Sequence, residues 1–124
     1  MTLASELGVE HDVLLPGFVA NPFAWLRRAS LFVLSSAWEG LPTVLIEALA
    51  CGTPIVATDC PHGVREILED LGALVPVGDA NAMKEAISRM LDAPTERRLL
   101  LNRAAAFDLD RVVAIYREIL DAGE

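Results

Sequence analysis

Lysine, histidine and cysteine are scarce in this 124-residue chain, which has one lysine, two histidines and two cysteines. A four-ligand zinc site needs more Cys or His in tighter spacing, so the sequence predicts no metal site. Two cysteines do not build a disulfide framework, so we expect Cys51 and Cys60 to be buried reduced thiols of a cytoplasmic protein. No apolar run approaches the length of a membrane-spanning helix, and residues 1–7 lack the regions of a signal peptide.

Positive charge is also in deficit, because 10 Lys and Arg oppose 18 Asp and Glu for a formal charge of −8. Nucleic acids and anionic membranes attract basic surfaces, so this balance disfavours both as partners. It does not exclude small anionic ligands, which local dipoles can bind. Hydrophobic residues make up 53% of the chain, which is enough for one compact domain with an apolar core and too much for a disordered tail.

Short apolar runs alternate with helical patterns along the chain. The runs predict four strands, at 13–15, 31–35, 54–58 and 73–77. Strands that are apolar on both faces and alternate with helices are typical of a parallel sheet covered on both sides. We therefore predict an α/β fold, a Rossmann-like parallel sheet with helices on both faces. A complete domain of this kind usually has about five or six strands, so the pattern indicates an incomplete one.

Start and stop residues delimit the predicted helices. Asn21 and Asp79 are placed to cap two of them, because their side chains accept hydrogen bonds from the first helical N–H groups. Pro42 opens a helix that runs to Ala50, since proline suits the first helical position. Pro94 opens another, and a last helix follows from about residue 108.

In an open parallel sheet, ligands bind beyond the carboxyl ends of the strands. The richest such position follows the second predicted strand, over residues 35–43. Gly40 permits a tight turn there, and Pro42 removes an N–H that the first helical turn does not use. We expect free N–H groups of Thr43 and Val44 at the positive end of this helix, where a phosphate or a sugar oxygen can bind.

Two carboxylates flank this helix N-terminus, Glu39 in the loop before it and Glu47 inside it. The helix rises about 7–8 Å from Pro42 to Glu47, so the carboxylates could lie on either side of a ligand, and each could hold a sugar diol. The alternatives are that Glu39 compensates the helix dipole and that Glu47 belongs to a salt bridge. We expect Trp25 and Trp38 to be packing residues rather than stacking platforms.

Residues 38–48, WEGLPTVLIEA, and residues 50–59, ACGTPIVATD, carry a specific combination of these features. Together they resemble the nucleotide-sugar-binding half of the GT-B glycosyltransferases of family 4, glycosyl transferases group 1. Glu39 and Glu47 match the E-x7-E signature of that family. Further similar stretches lie at 17–22, 63–68 and 74–79, so the resemblance covers roughly residues 3–120.

The resemblance implies roles for individual residues. Glu39 would hold hydroxyl groups of the donor sugar and would be the catalytic residue, and Glu47 would hold the ribose hydroxyls of the nucleotide. Val19 would border the base. Main-chain N–H groups would meet the donor sugar and the diphosphate at Gly40, Leu41, Thr43 and Val44. The resemblance also implies that no metal is needed, since the helix dipole and basic residues neutralise the leaving diphosphate. It implies no cofactor, because the nucleotide-diphosphate sugar is a co-substrate.

The resemblance also implies missing parts. Family members have a separate N-terminal acceptor domain, and their diphosphate-binding Arg and Lys precede the part that resembles this chain. We therefore expect residues 1–107 to be a partial donor-binding domain and residues 108–124 a C-terminal helix that packs toward the absent domain.

Two functions follow from these expectations. One is the donor-binding portion of a retaining hexosyltransferase, inactive as this fragment. The other is a non-catalytic nucleotide-binding or interaction module derived from such an enzyme. In either case, apolar surface left exposed by the absent domain could support a homodimer.

Overall fold

The computed structural model describes residues 3–121, which form helices and a small sheet in alternation. The first half contains α1 (Leu3–Glu6), α2 (Pro22–Leu26), β1 (Phe32–Leu34), α3 (Thr43–Cys51) and β2 (Ile55–Thr58). The second half contains α4 (Val64–Leu68), β3 (Ala73–Val75), α5 (Ala80–Asp92), α6 (Arg97–Ala104), a 3₁₀ helix (Ala105–Phe107) and α7 (Leu109–Asp121).

The three strands form one parallel sheet in the order β1-β2-β3. Phe32 of β1 pairs with Ile55 of β2, and Val56 of β2 pairs with Ala73 of β3. All four residues of the central strand are buried, as its uninterrupted apolar sequence predicts. The predicted α/β fold with a parallel sheet is confirmed.

Helices cover both faces of the sheet, and each face has its own core. The larger core joins β2 to α3, α4 and α6, and the largest of its buried side chains are Leu45, Leu49, Ile55, Ile67, Leu68 and Leu100. The smaller core lies under α5 and contains Val56, Val75 and Ala86. Alternate residues of β2 therefore point into different cores, which fixes the register of the central strand.

The predicted caps are confirmed at both positions. The Asn21 side chain accepts a hydrogen bond from the Ala24 amide, and the Asp79 side chain accepts one from the Ala82 amide. The helix predicted from Pro94 begins later, at Arg97. The delay has a physical cause, because the Thr95 hydroxyl donates to the Leu71 carbonyl at 2.9 Å and ties this segment to the turn before β3.

The strand predicted at residues 13–15 is wrong. This segment is neither helix nor strand, and Leu14 and Leu15 are 70% and 84% exposed. A strand needs a neighbour that supplies backbone hydrogen bonds. Within residues 3–121 the sheet contains only β1, β2 and β3, and none of them pairs with this segment.

Candidate functional site

The loop from β1 to α3 lies at the carboxyl edge of the sheet and carries Glu39. This carboxylate is half-buried, and its Oε1 accepts a hydrogen bond from the Ser36 hydroxyl at 2.6 Å. The backbone carbonyl of Ser36 in turn accepts a hydrogen bond from the hydroxyl of Thr58, the last residue of β2, at 2.5 Å. Glu39 is therefore connected to the sheet through two hydroxyl groups.

Sequence reasoning missed Ser36 and Thr58. A local signal exists for Ser36, because it lies only three residues before Glu39 in the same loop. Thr58 had no such signal, since its acceptor lies 22 residues away in sequence and is brought close only by the pairing of β1 with β2.

The N-terminus of α3 follows this loop. Pro42 is its N-cap and has no side-chain capping bond. The Thr43 amide donates to the Leu41 carbonyl at 2.8 Å, so it is not the free donor that we expect from the sequence. A tight turn at the helix start is the cause of this difference. Within residues 3–121, the amides of Gly40, Leu41 and Val44 donate no hydrogen bond.

Glu47 lies one turn into α3 and is half-buried. In the described part of the chain it forms no ion pair with Lys, Arg or His, so the salt-bridge alternative lacks a partner there. Its side chain lines a cavity of about 340 Å³ between α3 and the segment 16–29. The cavity is lined by Pro16, Gly17, Val19, Pro22, Trp25, Leu26, Ala29, Phe32, Val44 and Glu47.

This cavity brings together three residues of the sequence-predicted site, Val19, Val44 and Glu47. Glu39 is not part of its lining and lies in the loop that precedes the α3 N-terminus. Trp25 is half-exposed and lines the cavity, and Trp38 is 70% exposed beside Glu39. The exposure of Trp38 contradicts the expectation that it serves packing within the described residues, whereas Trp25 keeps about half of its surface buried.

The loop after β2 packs against the loop that carries Glu39. Gly63 has a left-handed backbone conformation with φ of +83°, and a Cβ there would come 2.9 Å from Cδ of Pro42 and 3.3 Å from the carbonyl oxygen of Gly40. The preceding His62 is exposed and also has a positive φ, of 70°. The two loops therefore have a shared, close-fitting boundary at the α3 N-terminus.

Among the described residues, no basic side chain lines this cavity, and Arg65, on α4, pairs with Asp59 at the surface. Lys84 lies on α5. Cys51 and Cys60 are buried free thiols, as predicted. Within residues 3–121, no group of three or more His, Cys, Asp or Glu side chains has the arrangement of a metal site.

Comparison with known proteins identifies the family. The family model for glycosyl transferases group 1 matches residues 1–93. The chain belongs to this glycosyltransferase family. An N-acetylgalactosaminyltransferase of Campylobacter jejuni, which acts on an undecaprenol-linked diphospho-sugar according to its name, is 39% identical over 87% of the chain and 31% of its own length.

Solved glycosyltransferase structures of the GT-B class share the fold. Sucrose-phosphate synthase from Thermosynechococcus elongatus is 30% identical with a TM-score of 0.79, over 97% of this chain and 33% of that one. HepE of Anabaena, solved in complex with UDP, is 26% identical with a TM-score of 0.77, over 96% of this chain and 34% of that one. The glycosyltransferase chain thus spans about a third of the length of these relatives.

None of the helices in residues 3–121 is both long and apolar enough to cross a membrane.

Proposed function

We propose that this glycosyltransferase chain is the donor-binding portion of a retaining enzyme of family 4 that transfers a hexose from a nucleotide-diphosphate sugar. The observation that carries the proposal is Glu47, a half-buried carboxylate without a described ion-pair partner in the wall of an otherwise largely apolar cavity. A carboxylate in such a position is stabilised by hydroxyl donors, and a ribose diol supplies two of them.

The rest of the nucleoside fits the same cavity. Val19 and Trp25 give it an apolar wall on the side opposite α3, suited to the flat face of a base. An apolar wall accommodates any nucleobase. Uridine is the first to test, because the related Anabaena structure contains UDP.

The diphosphate would lie at the α3 N-terminus. Amides of Gly40, Leu41 and Val44 are available there, and the helix dipole adds partial positive charge. From Val44, whose amide is available, to Glu47 the helix rises about 4–5 Å, so a phosphate at the helix start and a ribose at Glu47 can belong to one nucleotide. The sugar would then continue past the helix start toward Glu39, which holds its hydroxyls and is the proposed catalytic-site carboxylate.

Retention of configuration comes from the family resemblance alone. Independence from metals and other cofactors comes from the resemblance together with the scarcity of Cys and His in the sequence. The acceptor would be held by a second domain, toward which residues 108–124 would pack, and residues 1–107 would form the donor side. We expect the protein to be cytoplasmic, where nucleotide sugars and reduced thiols coexist.

The decisive test replaces Glu47 in the full-length protein. Glu47→Gln keeps the shape of the side chain but removes the charged acceptor, so we expect the Kd for UDP or GDP, measured by calorimetry, to rise about tenfold or more. Glu85→Gln is the matched control, because Glu85 is exposed on α5, on the opposite face of the sheet. Equal nucleotide affinity in both variants would contradict the role of Glu47.

A sugar-transfer assay with the same protein separates the enzyme from the alternative of a binding module. Nucleotide binding together with release of nucleoside diphosphate from a sugar donor supports the enzyme. Binding without release under all tested acceptors supports a non-catalytic module.

A further inference from the structure

Three residues form a continuous hydrogen-bonded series from the sheet to the β1–α3 loop. The Thr58 hydroxyl contacts the Ser36 carbonyl at 2.5 Å, and the Ser36 hydroxyl contacts Oε1 of Glu39 at 2.6 Å. Thr58 is 4% exposed and is one of two buried polar residues in the described chain. A buried hydroxyl is retained at low cost only when its hydrogen bond is made, so the series is a built feature of the fold.

Thr58 is the fixed end of this series. It is the last residue of β2 and pairs with Val75 of β3 in the parallel ladder, so its backbone is held by the sheet. Its hydroxyl has one proton and two carbonyls in reach, those of Ser36 at 2.5 Å and Leu34 at 3.4 Å. The shorter contact takes the proton, and the backbone of Ser36 is thereby held against the end of β2.

Ser36 forms the other end of the contact with the sheet. Its hydroxyl can rotate, and the hydrogen bond to Glu39 fixes the direction in which the hydroxyl points. That bond occupies Oε1 of the Glu39 carboxylate. In the described part of the chain Oε2 has no donor, and the side chain is half-buried. A carboxylate held by one oxygen presents the other in a defined direction, which lowers the entropy that a ligand must remove on binding.

We propose that Ser36 and Thr58 are positioning residues that orient Glu39 and thereby set the affinity for the sugar half of the donor. The inference rests on the proposed function, which places a sugar at Glu39 and a nucleoside at Glu47. It goes further by separating the sugar half of the donor from the nucleoside half. The hydrogen-bonded series ends at Glu39, and none of its three residues lines the cavity of Glu47.

A purely structural role predicts a different result. If the series only held the loop together, its loss would lower stability and weaken nucleoside diphosphate and nucleotide sugar alike. If it orients Glu39, its loss changes the ratio of the two affinities. The ratio of two Kd values measured on the same variant is therefore the informative quantity, and it is insensitive to a partly unfolded sample.

The experiment measures that ratio by calorimetry on the full-length protein. The ligands are UDP, GDP and their glucose esters, and the base that binds more tightly is taken forward. Ser36→Ala removes the donor to Glu39, and Ser88→Ala, an exposed serine on α5, is the matched control. Thr58→Val is nearly isosteric and removes the other hydroxyl, while Thr58→Ser restores it.

Ser36→Ala is expected to raise the Kd of the nucleotide sugar about tenfold and that of the nucleoside diphosphate less than about twofold. Thr58→Val is expected to act in the same direction by about threefold, with recovery in Thr58→Ser. An unchanged Kd ratio in Ser36→Ala, with both ligands bound by the unaltered protein, overturns this inference and leaves the proposed function intact. Failure of the unaltered protein to bind either ligand overturns the proposed function and this inference with it.

Discussion

At the scale of single residues, the fit between two loops decides the shape of the candidate site. Gly63 packs so closely against Pro42 and Gly40 that a Cβ at position 63 would overlap their atoms. Since Gly40 and Pro42 immediately precede α3, a displacement of either one moves the amides proposed to hold the diphosphate. The glycine at position 63 is therefore required by contact as well as by its left-handed backbone.

We expect Gly63→Ala to lower stability more than Gly78→Ala and to weaken nucleotide-sugar binding. Both glycines are left-handed, with φ of +83° and +80°, but a Cβ at Gly78 has no atom within 4 Å. Gly78→Ala should therefore cost only the backbone term of about 1–2 kcal/mol, and Gly63→Ala at least about 1 kcal/mol more from overlap. Urea unfolding of both variants checks the difference, and equal losses would refute the contact argument.

At the scale of elements, local signals and distant pairing differ in how well they can be predicted. The start of α3 at Thr43 and its end at Gly52 follow from Pro42 and from a glycine in the left-handed conformation, which are signals within a few residues. The local sequence of residues 13–15, a short apolar run, also predicts a strand. A strand forms only when a neighbouring strand supplies backbone hydrogen bonds, and this segment has none in the described chain. The cavity at Glu47 was equally hidden, because Val19 reaches it through the packing of α2 on α3.

In the candidate site, too, features set by local sequence can be predicted and features set by the pairing of distant segments cannot. The E-x7-E spacing makes Glu39 and Glu47 candidate site residues from the sequence, and the amide of Val44 is free in the described chain, as expected. The amide of Thr43 is not free, because the turn at Leu41 captures it, and a turn of this kind depends on backbone angles that composition does not determine. The same holds for the hydroxyl of Thr58, whose acceptor is selected by the pairing of β1 with β2.

The N-terminal cap at Asp79 contributes to the stability of α5 as a helix. The Asp79 side chain satisfies the Ala82 amide at 2.8 Å, and α5 covers the smaller core through Ala86. We expect Asp79→Ala to lower the free energy of unfolding by about 1 kcal/mol, while Asp79→Asn, which keeps the acceptor, loses little of it. Thermal unfolding followed by circular dichroism measures both, and a loss as large in Asp79→Asn would show that the cap is not the cause.

At the scale of the molecule, α7 carries an exposed apolar stripe that belongs to neither core. Leu109, Val113 and Tyr116 recur at helical spacing and are 74%, 38% and 65% exposed. The described contacts of this helix are mainly with the 3₁₀ helix before it. Exposed stripes of this kind are typical of surfaces that another body covers, and the chain spans only about a third of its relatives.

For the 124-residue chain on its own, we expect the stripe to support self-association. Sedimentation velocity at increasing concentration should give a rising average mass, and Leu109→Glu combined with Tyr116→Glu should return it to the monomer value. Glu118→Gln, on the same helix, serves as the control. A monomer at millimolar concentration without any substitution would show that the stripe does not pair with a second copy.

The buried thiols give the chain a built-in chemical reporter. Cys51 and Cys60 are each 5% exposed and belong to the same core cluster, one at the end of α3 and one just after β2. A thiol-specific reagent can modify either residue only after the core opens, so the rate of labelling follows the opening of the layer that supports both loops of the site. Ligand binding at those loops should therefore slow the labelling of both buried sulfur atoms.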